Sequence, residues 1–383
     1  MRITNVTGFS VHPGWRKNLI FVKVETDSGI TGWGEAYSQY DRDRAVLAQV
    51  SDLGRYAVGR SPFDIKHFTL MAFDDFAQRR GSLELFCAIS GIEQALWDIV
   101  GKACNQPVYN LLGGRYRDKI RVYANGWSYG LKAPADYARA AERVIQQGFT
   151  ALKFDPLPTP WRSYIPKEHE RRAVDVVRAV RSAVGRDVDI LIEQHRRLAP
   201  MHSIRLGKQL AEYDLYWYEE PCHADNIEAL AEVRQQTNLP VVTGEALYTK
   251  ADFRPVFDRR AVDIINPDVA CCGGILELKE IAAMAETHLV ACSPHNYNST
   301  LLALAATVHA SATMPNFVIT EYFLPFVDFI DTISPNQLKP ENGYIPLPTA
   351  PGLGVDVDEE ALRKLAAGPY PLRTLRGPEQ EGP

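Results

Sequence analysis

Residues 188–197 read VDILIEQHRR. An apolar run, Ile190-Leu191-Ile192, leads into Glu193, Gln194 and His195. Residues i and i+2 of a strand face the same side. Glu193 and His195 are therefore expected to aim at one space, and the other groups that reach it decide what the protein does.

The same pattern recurs on either side. LYWYEE (215–220) and VVTGE (241–245) also end in carboxylates, and Glu193, Glu219 and Glu245 follow one another at intervals of 26 residues. Further candidate strands are IRVYANG (120–126), ALKF (151–154), DIINPD (263–268), LVACSP (289–294) and FVITEY (317–322). Helical stretches lie between them, among them PADYARAAERVIQQG, HERRAVDVVRAVRSAVG and GILELKEIAAMAETH. Eight such βα units imply a closed parallel barrel, here over 118–340. Residues 1–117 read differently. RITNVTGFSVHP and LIFVKVETDSGITGWGEAY suggest antiparallel strands with a turn at Asp27-Ser-Gly29, and SGIEQALWDIVGKACN is helical. That combination predicts an α+β capping domain. The tail, 341–383, is rich in Pro and Gly (PLPTAPGLGVD) and is expected to pack back on the cap.

The bulk properties narrow the function classes. The chain has 383 residues, 46% apolar and 23% charged, with a formal net charge of −5. That balance speaks against nucleic acid or an anionic membrane as a partner. No run approaches the roughly 18 apolar residues of a membrane span. Six irregularly spaced cysteines form no CxxC pair, and a disulfide framework is not expected. MRITNVTGFSVHPGW lacks a signal-peptide core, so a cytoplasmic protein is expected. Asn5-Val-Thr and Asn298-Ser-Thr are then read as chance matches to the glycosylation pattern.

Catalytic groups of such barrels sit at the C-terminal ends of the strands. Three carboxylates converging there repel one another unless a cation is shared. An all-oxygen ligand set favours Mg²⁺ first and Mn²⁺ second. The bland alternative is that each Glu pairs with a nearby Lys or Arg. Asp268 and His295 end the sixth and seventh strands and form a candidate His–carboxylate base. Glu321 ends the eighth. His195, on the third strand, is expected across the barrel from His295. The other seven histidines fall in turns or helices and are read as structural or solvated.

SGIEQALWDIVGK with QPVYNLLGG, Glu219-Glu220-Pro221, Gly244-Glu245 and INPD…CGG (265–274) resemble the signatures of the enolase superfamily, mandelate racemase subgroup. The resemblance covers nearly the whole chain. It implies a modified (β/α)7β TIM-like barrel under an α+β cap, and a carboxylate substrate bound on Mg²⁺ that loses the proton next to that carboxylate. It further implies Glu193, Glu219 and Glu245 as metal ligands, His295 with Asp268 as the dyad, and Glu321 near the substrate carboxylate. Two departures stand out. Glu193 replaces the usual Asp, and Lys153-Phe-Asp155 replaces the Lys-x-Lys of racemases, so the second base is missing from its usual place. A His two residues after the first ligand is similar to the sugar-acid dehydratases, galactonate dehydratase above all. His195 would then protonate the departing 3-hydroxyl. Lys153 and Asp155 are expected near the substrate, and the loop HPGWRKN (12–18) lies where the family's specificity loop lies, with Trp15 and Lys17 as candidate contacts. The insertion WRSYIPKEHERR (161–172) is expected at the mouth or at an oligomer contact. A small sugar carboxylate is the expected partner and a homo-oligomer the expected state. A lactone or anhydro-acid cycloisomerase, an epimerase, or a binding protein on a retired scaffold stay open as alternatives.

Overall fold

The computed structural model describes residues 1–297, 301–365 and 373–381. The Asn298-Ser-Thr pattern lies outside the described residues. The chain opens with an antiparallel sheet of β1 (Ile3–Val11), β2 (Leu19–Thr26) and β3 (Thr31–Ala36). Gly29, at φ +80°, turns β2 into β3, a conformation that costs glycine no Cβ clash. Helices α1 (Asp43–Ala57), α2 (Ile65–Met71), α3 (Leu83–Ala103) and α4 (Val108–Leu111) complete the cap. Ser82 caps α3 by accepting the Leu85 N–H. α3 lies so close on the sheet that a Cβ at Gly32 or Gly34 would meet its backbone at Ala95 or Gly91.

From residue 119 strands and helices alternate. The order is β4 (Lys119–Asn125), α5 (Pro134–Gln146), β5 (Ala151–Phe154), α6 (Lys167–Val184), β6 (Asp189–Glu193) and α7 (Pro200–Leu210). Then come β7 (Trp217–Glu219), α8 (Ile227–Gln236), β8 (Val241–Thr243), α9 (Thr249–Asp258), β9 (Ile264–Ile265) and α10 (Ile275–Thr287). β10 (Ala291–Cys292), α11 (Leu302–Ala312) and β11 (Thr320–Phe323) finish the ring. Among the described residues the sheet order is β10-β9-β8-β7-β6-β5-β4-β11, parallel throughout. A parallel bridge from Cys292 to Phe317 closes it. Seven of these strands carry a barrel helix, whereas β11 leads only to the short α12 (Val327–Asp331). The fold is thus the expected modified (β/α)7β barrel with a separate N-terminal cap.

The strands are shorter than the sequence suggests. VVTGE, for example, leaves the sheet after Thr243. Half of the predicted insertion 161–172 is the first turn of α6. The tail does not belong to the cap alone. β12 (Tyr344–Pro346) pairs antiparallel with the start of β4. Only then does the chain reach the cap, where the Leu353 N–H donates to Asp98 of α3. Glu359, opening α13 (Glu359–Lys364), pairs with Lys23 of β2 at 2.8 Å. All six cysteines are free. Among the described residues no helix is long and apolar enough to cross a membrane.

Polar side chains of α3 fasten the cap to the barrel. Glu93 accepts the Ile275 and Leu276 N–H groups and so caps α10. Gln94 donates to the carbonyl of Glu35 in β3 and to that of Val269 beyond β9. The buried His309 of α11 adds a third tie: its Nδ1 accepts the Tyr109 N–H at 3.2 Å, and its Nε2–H donates to the Leu353 carbonyl at 3.0 Å. This imidazole must stay neutral, because a proton on Nδ1 would break the Tyr109 bond.

Burial lowers the His309 pKa to about 4. The unfolded chain, with an ordinary histidine, binds that proton more readily. The contribution to stability is therefore whole above about pH 6.5 and is lost as pH falls toward 4, with a limit of roughly 3 kcal/mol. Urea unfolding of wild type and His309→Gln across pH 4–7 is expected to show a shallower pH dependence in the variant. Equal slopes would contradict the assignment.

Candidate active site

The barrel interior is built in two layers. Below lies an apolar plug of Tyr123, Ala151, Leu191, Trp217, Val242, Ile264 and Ile319. Two residues further along each strand the same inward face continues. That step gives Asn125, Lys153, Glu193, Glu219, Gly244, Asn266 and Glu321. A polar layer thus sits directly on the plug by strand alternation alone. Glu193 and Glu219 are register partners across β6 and β7. Gly244 is the exception, since it offers no side chain. At φ +145° it turns the backbone out of β8, and Glu245 arrives one residue later. The three carboxylates lie within 4.8 Å of one another.

Six buried or nearly buried carboxylates, Glu193, Glu219, Glu220, Glu245, Asp268 and Glu321, share this end of the barrel. Against them stand Lys153, Arg196 and the His295 imidazole. Lys153 is fully buried, with Nζ 2.8 Å from Glu219, 3.7 Å from Glu193 and 3.8 Å from Glu321. Arg196 pairs with Glu245 and lies 3.8 Å from Glu220. The pairing alternative is therefore met in part, for Glu219 and Glu245. It does not neutralise the set. Burial and the charge of Glu245 push the Glu193 carboxyl up to about 7. Burial likewise raises Glu220 to about 7 against the pull of Arg196, and burial with Glu193 raises Glu219 well above the usual range. The cluster is short of positive charge, and its donors are all oxygens. The residues present fit a hard divalent cation.

Two His–carboxylate pairs flank the cage. His295 Nδ1 lies 2.7 Å from Asp268 Oδ2, and its Nε2 lies 3.0 Å from Glu245 and 3.5 Å from Glu321. Burial disfavours the imidazolium, but Glu245, Glu321 and Asp268 outweigh it and raise the pKa. Glu321 is itself held by Asn125 and by the Asn296 N–H at 3.1 Å. His195 forms the second pair, with Nδ1 2.9 Å from Asp155 Oδ2. It follows the third barrel strand and His295 the seventh, which places them on opposite sides of an eight-strand ring.

The structure corrects several expectations. Strand alternation does not deliver His195: β6 stops at Glu193, and His195 and Arg196 turn at φ +51° and +59°. The Glu193 carboxylate folds back to accept the His195 N–H. Asp155 is taken by His195 and by Arg197, 2.5 Å away, rather than standing free for substrate. Lys153 faces the acid cage. Trp15 packs on Tyr129, Phe323 and Phe326, so the cap loop rests on the barrel. Lys17 is neither solvated nor at the mouth: it is 0% exposed and donates to the Ser38 carbonyl at 2.7 Å. His223, read as structural or solvated, lines a cavity of about 480 Å³ with His195, Trp161, Arg162, Arg196 and Arg197. Trp161 stacks on His195 at 4.7 Å. Arg196 was the missed partner of the cage. Its signal was two arginines three and four residues after a strand-end carboxylate.

Residues 5–113 match the family model of the mandelate racemase/muconate lactonizing enzyme N-terminal domain, and residues 136–361 match that of the enolase C-terminal domain-like group. The chain is 36% identical over 370 residues to a D-galactonate dehydratase of Ralstonia pickettii, covering 94% of this chain and 93% of the relative. It is 33% identical over 352 residues to a D-gluconate/D-galactonate dehydratase of Picrophilus torridus, covering 92% and 89%. A crystal structure of a mandelate racemase/muconate lactonizing enzyme-like protein from Roseovarius sp. TM1035 superposes with a TM-score of 0.90 at 34% identity, over 98% of this chain and 99% of that one.

Arg196 and a divalent cation would both draw on Glu245. Removing the guanidinium takes a positive charge away from the cage, worth about 1 kcal/mol even at the dielectric of water. Arg196→Gln is expected to bind Mn²⁺ about fivefold or more tightly than wild type in an electron paramagnetic resonance titration. Unchanged or weaker binding would contradict the competition.

Proposed function

The chain belongs to the mandelate racemase/muconate lactonizing enzyme family of the enolase superfamily, and on that premise we propose that it is a Mg²⁺-dependent sugar-acid dehydratase. The observation that carries this reading is the second His–carboxylate pair, His195 with Asp155, opposite His295 with Asp268. Relatives named for galactonate and gluconate make aldonates the first substrates to try.

Glu193, Glu219 and Glu245 would hold the cation, Mg²⁺ first and Mn²⁺ second, which when bound supplies positive charge at the substrate's carboxylate. Lys153 adds a fixed ammonium beside the same carboxylates. His295 Nε2 takes the proton from C2, and Asp268 holds the ring through Nδ1 and steadies the imidazolium. The electron pair left at C2 moves to form the C2–C3 double bond as the C3–O bond breaks. His195 Nε2 gives its proton to the departing hydroxide, which leaves as water. Asp155 fixes the orientation of the His195 ring through Nδ1. The enol then becomes a 2-keto-3-deoxy acid. Trp161 stacks on the His195 ring and fixes one of its faces.

The two imidazoles have separable roles. With a sugar acid that is turned over, His295→Asn is expected to abolish both 2-keto acid formation and exchange of the C2 hydrogen in D2O. His195→Asn should lower dehydration by about 10²–10⁴-fold while C2 exchange persists. Product mass reads the loss of water and separates dehydration from epimerisation or cycloisomerisation. Full dehydration by His195→Asn would overturn the assignment.

A further inference from the structure

We infer that the substrate carries a second anionic group at the end remote from the reacting carboxylate, and that Arg16 of the cap loop binds it. The inference rests on the dehydratase reading and narrows its substrate class.

Four guanidinium groups stand near the mouth of the barrel. Three have carboxylate partners: Arg196 with Glu245, Arg197 with Asp155 and Arg162 with Glu381. Arg16 is different. Its Nε donates to the Tyr40 hydroxyl, and its plane lies 5.0 Å from the ring centre of Trp15, 5.5 Å from Tyr40, 5.2 Å from Tyr129 and 5.7 Å from Tyr297. No carboxylate pairs with it among the described residues. Its two terminal nitrogens have no acceptor there, and neither is sealed from solvent. A half-buried guanidinium held by aromatic faces, with its fork unused, is a socket for a planar or tetrahedral anion.

Its position fits the far end of a substrate. Tyr297, beneath Arg16, stacks on His295 at 6.3 Å. The guanidinium is thus two aromatic steps from the imidazole placed at C2. The loop is pinned from both sides. Trp15 rests on Phe323 and Phe326 at the end of β11, and the Lys17 ammonium is buried between the rings of Tyr37 and Tyr297. Arg16 itself sits at φ +63°, a conformation that L side chains rarely adopt. The loop keeps the arginine there in spite of that strain, which is characteristic of functional positions.

A carboxylate or a phosphate on the last carbon would meet Arg16 through paired, charge-assisted hydrogen bonds. The primary alcohol of gluconate or galactonate would leave the fork unmatched. Sites built around a charged donor discriminate strongly against substrates lacking its partner.

The test compares kcat/KM for three acids of matched configuration: an aldonate, the aldarate with a carboxylate at its far end, and the 6-phosphoaldonate. Wild type is expected to favour one anionic-ended acid over the aldonate by about 10- to 100-fold. Which of the two it favours identifies the anion. Arg16→Met should collapse that ratio toward one, and Arg16→Lys should restore part of it. The ratio is internal to each preparation, so partial loss of folded protein does not mimic the effect. The inference is overturned if wild type handles the aldonate as well as both anionic acids, or if Arg16→Met lowers all three equally. Loss of water from none of the three would instead refute the dehydratase reading, and the inference with it.

Discussion

Glu193, Glu219 and Glu245 end three consecutive strands of one parallel sheet, whose neighbours lie roughly 5 Å apart. At that spacing, out of water, burial and mutual repulsion raise the carboxyls of Glu193 and Glu219, whereas Arg196 and His295 hold that of Glu245 well below the usual range in spite of its burial. Much around the cage responds to this constraint. Lys153 is drawn to full burial beside Glu219. Arg196 leaves its strand in a left-handed turn and reaches Glu245. The same field raises the proton affinity of His295, although burial favours its neutral form. These groups neutralise the set only in part, and a divalent cation is the simplest completion. The same surplus of negative charge that calls for a metal gives the base His295 its strength.

A cage of that kind needs a rigid floor and a closed roof. The floor is the plug of seven inward side chains, with Trp217 donating to Glu219 at 2.9 Å from directly below. The roof is the cap, and its attachment is polar. Glu93 and Gln94 on one face of α3 reach the loops and helix that follow β9, the strand leading to Asp268. The Asp98 carboxylate accepts N–H groups from Trp33 of the cap and Leu353 of the tail. The loop bearing Trp15, Arg16 and Lys17 hangs from this assembly onto Tyr129, Tyr297 and Phe323, so cap and barrel present one continuous surface to a substrate.

The acid cage was legible in the sequence because it follows from backbone period. Side chains two apart on a strand share a face, which places Glu193 and Glu219, and equal βα units repeat at equal spacing; Glu245 keeps the interval but reaches the cage through the turn at Gly244. The His295–Asp268 pair was legible for the same reason. His195 was found for the wrong reason, since its route to the site is a turn that the strand pattern does not encode. The strand pattern gave Arg196 and Arg197 no role. Their burial depends on carboxylates supplied by β5 and β8, distant in sequence. Lys17 was read as a substrate contact, and the structure buries it completely. Its buried position is set by Tyr37 and Tyr297, which only the closed fold brings together.

The central claim is that the three strand-end glutamates together hold one divalent cation. Crystals grown with Mn²⁺ and measured at an X-ray energy where manganese scatters anomalously would test it directly. The account predicts a single strong anomalous peak bounded by carboxylate oxygens of Glu193, Glu219 and Glu245, with the Arg196 guanidinium displaced from Glu245. A cage left to Lys153 and Arg196 alone, with manganese absent or bound elsewhere, would contradict it.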